Sequence, residues 1–502
     1  MLDLKFGDTK AALEHSEWAL KHDALNPIIP AVKMLADPAN SKKVASEVLK
    51  NDSLNLLVKY LSGNKNFYKD LHAEAAQSVL DLTYDLYDMG QVKEAIKLLE
   101  GLVRERKDQD VAMIRFTLAF LKAKLGKDFK ADLNAAEKLS TGLSFPHRRH
   151  EADVLEFAIN NGSKVANYYL GCLLYDKRHY KEAGELFETY VKECPKDFKG
   201  YRVLSIAQFS HLDKRDEALA NMKKALKLSN EPFLVYDAMV LMNKLGVDPK
   251  EKLKVLGTDP KKIKRENLII ELAKCYNQLG QPEKALDILL SKVFKSAEGG
   301  ETFIAAPYMY ANLLIGTDLF EKGKYEEAQK AFENAMNIPK SLGTGYWNRF
   351  SRIPYEYAVA RCLDKRGLKK EAEEAYESIL NVQMETSSKG ALPELKYYQA
   401  RCAAHLGLLN KAQNMMIEVR RKWREGLEVV DEGYFAPTPF FESFVRPASE
   451  EREAQFTFLL GLVELFDNHP AKAKEFFTKA SKMNSDNNFA RYYAKYGAVL
   501  EK

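Results

Sequence analysis

Residues 167–195 read NYYLGCLLYDKRHYKEAGELFETYVKECP, and few folds satisfy that stretch. Gly171 removes a side chain where a second helix has to approach closely, and Ala183 is its small partner on that second helix. Leu170, Leu174 and Phe187 recur at helical spacing and fill the seam between the two. Pro195 stops the second helix because it has no amide to donate. The pattern predicts two antiparallel helices joined by a short turn.

A pair of this kind in about 34 residues is a tetratricopeptide repeat. Its spacing returns at Leu204, Ser205 and Ala218, at Ala273, Gly280 and Ala285, and at Gly316, Ala328 and Phe332. Ala360, Gly367 and Ala372, then Ala400, Gly407 and Ala412, and finally Gly461, Ala473 and Phe477 continue it. One ordinary core does not serve 502 residues, so the repeats predict an elongated array. The expected fold class is all-α, a right-handed α-solenoid of roughly ten helical pairs whose first helices line a concave groove. Six stretches are expected: 1–27, an incomplete first repeat; 28–142, irregular and regular helical repeats; 143–294, the central repeats; 295–422, further repeats beginning with a Glu-Gly-Gly loop; 423–450, an aromatic and proline-rich insertion; and 451–502, a last repeat with a closing helix.

In the first stretch Ala12, Ser16 and Ala19 match the second-helix packing positions, but the first helix is almost absent. The expectation is a chain cut from a larger protein or covered by a partner, with Trp18 marking an exposed end-seam and self-association through that seam as one outcome. Pro307, Pro354 and Pro393 are each read as opening a first helix. The polar, basic run at 247–266, VDPKEKLKVLGTDPKKIKRE, is read as a solvated loop or helix face. Ala273-Lys274-Cys275, Ala360-Arg361-Cys362 and Ala400-Arg401-Cys402 put cysteine at one equivalent site in three repeats, where a free thiol packs as a small hydrophobe.

Composition narrows the function. Hydrophobic residues at 46% and charged residues at 29% belong to a folded chain and not a disordered one. Basic and acidic side chains number 76 and 71, too even for a general nucleic-acid binder. The apolar run at 456–466 is too short for a bilayer, and MLDLKFGDTK has no export signal. No nucleic-acid partner, no membrane partner and a cytoplasmic location are therefore expected.

Several constellations bear on chemistry. His147, Arg148, His150 and Glu151 make HRRHE, which either caps the helix starting there or holds a ligand, and no further metal ligand follows at a recognised spacing. Glu298 and Glu301 flank two glycines, so their carboxylates converge if the turn is tight. Tyr346, Trp347 and Arg349 follow a Gly-Thr-Gly loop that lacks the Lys-Ser/Thr of a nucleotide-binding loop. Arg420, Arg421, Lys422 and Arg424 form a basic patch, with pairing to acidic side chains as its simplest role. Phe145, His147, Arg148, Glu298, Glu301, Tyr346, Trp347 and Arg349 are the candidate ligand- or domain-contacting residues. No catalytic residues, metal or cofactor are expected, and the chain is not read as an enzyme.

The irregular motifs occur in a distinctive order: Phe145-Pro146 with 148–151, 166–171 followed by Leu174-Tyr175 and 179–183, Phe294 with 298–301, and 339–345. In this the chain resembles the C-terminal repeat half of a family of long bacterial proteins whose N-terminal half looks like the β-sandwich of galactose mutarotases. Ala297 and His147 stand where such relatives tend to carry aromatic residues. The resemblance implies a mutarotase-like partner domain, attached or separate. The leading expectation is thus a scaffold that binds a protein, peptide or companion domain through its groove. The alternative is the accessory half of a carbohydrate-active or carbohydrate-binding protein, with Glu298, Glu301, Tyr346, Trp347 or Arg349 in a substrate cleft.

Overall fold

In the computed structural model a Cβ built on Gly171 would lie 2.5 Å from the Phe187 ring, so only glycine fits beneath that phenyl group. Gly316 meets Phe332 and Gly461 meets Phe477 at the same 2.5 Å. Ala183, Ala328 and Ala473 are buried on the second helix of the same three pairs. One packing rule therefore recurs in these three pairs.

The structure describes residues 1–139, 141–142, 144–295, 301–343, 352–382, 393–428 and 443–501, and these are all-α. The chain is an α-solenoid of tetratricopeptide-type helical pairs in two compact units, Met1–Leu212 and Asp213–Lys502. Unit 1 holds α1 (Leu2–Lys5), α2 (Thr9–His22), α3 (Ile29–Ala36), α4 (Ser41–Asn51), α5 (Leu56–Leu61), α6 (Ala75–Asp88), α7 (Val92–Glu105), α8 (Ala112–Lys124), α9 (Lys130–Ala136), α10 (Arg149–Asn160), α11 (Val165–Asp176), α12 (Tyr180–Glu193) and α13 (Phe198–Ser210). One core cluster runs from Leu4 to Tyr190, with Phe116, Leu98 and Tyr169 fully buried, and two smaller ones gather Ala183, Phe187, Leu204 and Ala207, and Met34, Ala45 and Val58.

Unit 2 holds α14 (Arg215–Leu228), α15 (Pro232–Lys244), α16 (Pro249–Leu256), α17 (Glu266–Gln278), α18 (Pro282–Leu290), α19 (Glu301–Glu321), α20 (Tyr325–Met336), α21 (Ile353–Lys365), α22 (Lys369–Leu380), α23 (Pro393–His405), α24 (Leu409–Glu428), α25 (Ala448–Phe466), α26 (Pro470–Met483) and α27 (Asn488–Tyr496), then a 3₁₀ turn at Val499–Glu501. First helices pack against first helices here, α15 on α17, α17 on α19, α21 on α23 and α23 on α25. They present one common inner face.

Two sequence expectations are corrected. Pro354 and Pro393 do open first helices, but Pro307 lies inside α19, which begins at Glu301. Burial of Ile304 and Ala305 carries the helix upstream of the proline, and the Pro307 carbonyl accepts a 2.8 Å hydrogen bond from Asn277 Nδ2. The run at 247–266 is not simply solvated, because Lys252 is only 1% exposed. Its ammonium donates to Asn243 Oδ1 at 2.9 Å and Gln278 Oε1 at 2.7 Å. Burial among these neutral oxygens pushes it below the ordinary lysine value. Cys275, Cys362 and Cys402 are buried free thiols, and burial raises the first two to about 11 and about 12. That is packing chemistry and not a nucleophile's.

Candidate functional site

In α19, α21 and α23 the residue after the small first-helix position faces the chain's own C-terminal segment. In α19 that residue is Thr317, whose Oγ1 lies 3.0 Å from the Tyr492 hydroxyl. In α21 it is Arg361, whose Nε donates to the Leu500 carbonyl at 2.6 Å. In α23 it is Arg401, with Nε 3.5 Å from the Glu501 carboxylate, which also accepts from the Tyr357 hydroxyl at 2.8 Å. In α17 it is Lys274, which pairs with Glu271 at 2.7 Å and is also drawn towards Asp486.

Burial would raise the Glu501 carboxyl, but His405, Arg401 and the Tyr357 hydroxyl outweigh it and hold the group below the usual carboxylate range. Tyr492, Tyr493, Tyr496, Val499 and Leu500 are buried on the same face. Tyr493 meets the Tyr398 hydroxyl at 2.8 Å and stacks on Phe477 at 5.0 Å. Tyr496 donates to Asp318 at 2.7 Å. The groove that a partner would enter is thus filled along the C-terminal halves of the first helices by α27 and the turn after it.

Among the described residues nothing fills the N-terminal halves of the same helices. There a cleft of about 480 Å³ is floored by Met309 and Tyr310 of α19, Pro354 and Tyr355 of α21, Glu394, Leu395 and Tyr398 of α23, and Gln455 and Phe458 of α25. Asn484, Asp486, Asn487, Asn488 and Phe489 form its other wall. Asn487 Oδ1 caps α27 by accepting from Ala490 N–H at 2.9 Å, and Asn484 Oδ1 accepts from Asp486 N–H at 3.0 Å, so this wall is a fixed turn. Phe489 and Tyr355 meet edge to face at 6.3 Å. Gln455 Nε2 donates to Glu394 Oε2 at 3.1 Å, and burial pushes the Glu394 carboxyl above the usual range.

Of the sequence candidates, the structure describes Phe145, His147 and Arg148 in full, and all three belong to unit 1. Phe145 is 75% exposed in unit 1, and His147 Nδ1 turns back to the Phe145 carbonyl at 3.1 Å. Glu151 Oε2 accepts from the His147 and Arg148 amides at 2.7 and 2.9 Å and so caps α10. Arg148 pairs with Asp81 at 3.0 Å and His150 with Asp88 at 3.0 Å, which ties α10 to α6 instead of sharing a ligand. Among the described residues no group of three or more potential metal ligands occurs. Glu298, Tyr346, Trp347 and Arg349 lie outside the described residues, and Glu301 is described only as the first residue of α19.

Trp18 is 64% exposed on α2 and stacks on His22 at 4.2 Å, while Ala12 and Ser16 on that helix are buried. In the basic patch Arg420 pairs with Asp467 at 2.6 Å. The end of the aromatic insertion is anchored: Phe444 is buried, Ser443 Oγ lies 3.1 Å from Asp237, and Arg446 donates to the Met483 carbonyl at 2.5 Å.

Sequence reasoning missed the inner-face residues Thr317, Arg361 and Arg401. For Arg361 and Arg401 the signal lies in the Ala-Arg-Cys triplets, beside the cysteines, while Thr317 stands in no such triplet.

A family model described as tetratrico peptide repeat matches residues 69–152. Among solved structures, the human IFIT1 dimer with PPP-AAAA is 14% identical, over 82% of this chain and 94% of that one, with a TM-score of 0.28. A tetratricopeptide repeat protein from Parabacteroides merdae ATCC 43184 is also 14% identical, over 56% of this chain and 97% of that one, with a TM-score of 0.25. Among the described residues no helix is long and apolar enough to cross a membrane.

Proposed function

We propose that this chain is an interaction scaffold that receives a segment of a protein partner in the open half of unit 2's inner face. The half-filled inner face carries this reading. Its own C-terminal segment is bound along the C-terminal halves of the first helices through tyrosines, a backbone carbonyl and a carboxylate, and the adjoining cleft of about 480 Å³ is of ligand-binding size. The partner that the family resemblance implies is a mutarotase-like companion domain, attached or separate.

A second reading follows from the cleft lining: aromatic faces beside the side-chain amides of Gln455 and Asn488 also suit a neutral sugar, in line with a carbohydrate-related role. Selection of random peptides on the full chain, beside titration with neutral sugars, separates the two. Enriched peptides that compete for the cleft support the scaffold. No enrichment, with a sugar bound instead, transfers the function to carbohydrate.

A further inference from the structure

We infer that the cleft of unit 2 takes a lysine or arginine side chain of the partner segment, with its cation against Glu394 and its stem along Tyr355 and Phe489. The inference rests on the scaffold reading and specifies the occupant. Its first ground is charge. Among the described residues lining the cleft there is no lysine, arginine or histidine, while Glu394 and Asp486 both face it. Asp486 lies in the field of Lys274 and Arg491, whereas among the described residues Glu394 accepts from the neutral amide of Gln455 and from its own backbone N–H. A half-buried carboxylate held by neutral donors accepts a charge-assisted hydrogen bond from an incoming cation, stronger than either of those it already has.

The second ground is the aromatic pair in the same lining. Tyr355 and Phe489 enclose an aromatic corner, with Met309 and Leu395 as apolar neighbours. Aromatic faces attract cations through their quadrupole, and apolar neighbours accept the methylene stem of lysine or arginine. Phosphate and carboxylate ligands are disfavoured by the same arrangement, since they would meet Glu394 without a counter-charge.

The test uses the full chain and four probes, acetyl-Gly-Gly-Xaa-Gly-Gly-amide with lysine, arginine, norleucine or glutamate at the variable place, titrated by NMR or calorimetry. Lysine and arginine probes are expected to bind at least about tenfold more tightly than norleucine, which has a similar stem without the charge. Glu394→Gln should abolish that preference at unchanged thermal stability. Phe489→Leu, which keeps bulk and removes the ring, should weaken the lysine probe more than norleucine. Equal binding of lysine and norleucine, or a Glu394→Gln chain that still prefers lysine, overturns the inference and leaves the scaffold reading standing. A neutral methyl galactoside that binds where no peptide does overturns both. If no probe binds, the cation inference falls, and the random-peptide selection decides the scaffold reading by itself.

Discussion

Unit 1 and unit 2 use the same glycine-phenyl packing rule but close themselves differently. In unit 1 the ties beyond neighbouring repeats are modest in reach, as where His150 meets Asp88 62 residues away. In unit 2 Ser485 bonds the Asn243 carbonyl across 242 residues, Tyr492 meets Thr317 across 175, and Glu501 meets Tyr357 across 144. A repeat array stabilised only by neighbours can open piecemeal. One whose last helix crosses several first helices has to lose all those contacts together. The difference teaches that the C-terminal segment acts as a structural staple for unit 2, and that the cleft is what the staple does not cover.

The comparison is broken most severely at Tyr493. Tyr493→Ala should cost about 3–5 kcal/mol, the range for truncating a large buried ring. Urea unfolding followed by regional hydrogen exchange should show the loss in unit 2 and little change in unit 1, and equal losses would deny the staple.

Next in size is Glu501→Gln, expected to cost about 3 kcal/mol at neutral pH because Arg401 is left without its carboxylate partner. The group's folded pKa lies below its ordinary value. Its contribution is therefore present above the ordinary carboxylate pKa and is lost as pH falls through the lowered folded one. Acid titration of wild type and variant should converge at low pH, and a constant gap would contradict the assignment.

Gly171→Ala, Gly316→Ala and Gly461→Ala should each cost about 1–3 kcal/mol by overpacking the facing phenylalanine. Similar values in both units would sharpen the claim that the packing rule is shared and only the closure differs. The smallest effect is a gain. Arg178, at the α11–α12 turn, has φ 66°, and Arg178→Gly should stabilise unit 1 by about 0.5–1 kcal/mol, read as a rise in Tm.

Much of the architecture was legible because its determinants are local. Gly171, Ala183 and Phe187 lie within one hairpin, and their burial follows from helical period alone. Lys252 was misread because its partners, Asn243 and Gln278, are supplied by two other helices, and no charge pattern along the chain announces them. Pro307 was misread because local propensity was outweighed by burial of the residues before it. The cleft was illegible for the same reason, since Tyr310, Tyr355, Glu394, Gln455 and Phe489 come from separate helices with no common motif. HRRHE lay between these cases: capping by Glu151 was readable from sequence, while pairing with Asp81 and Asp88 was not.

The most direct measurement is hydrogen exchange along the full chain, comparing the amides of α27 with those of α19 and α21. The staple predicts that residues 490–496 exchange as slowly as the centres of those two helices, and that Tyr493→Ala accelerates all three together. Fast exchange of residues 490–496 beside slow exchange in α19 and α21 would show an inner face open along its whole length and contradict the account.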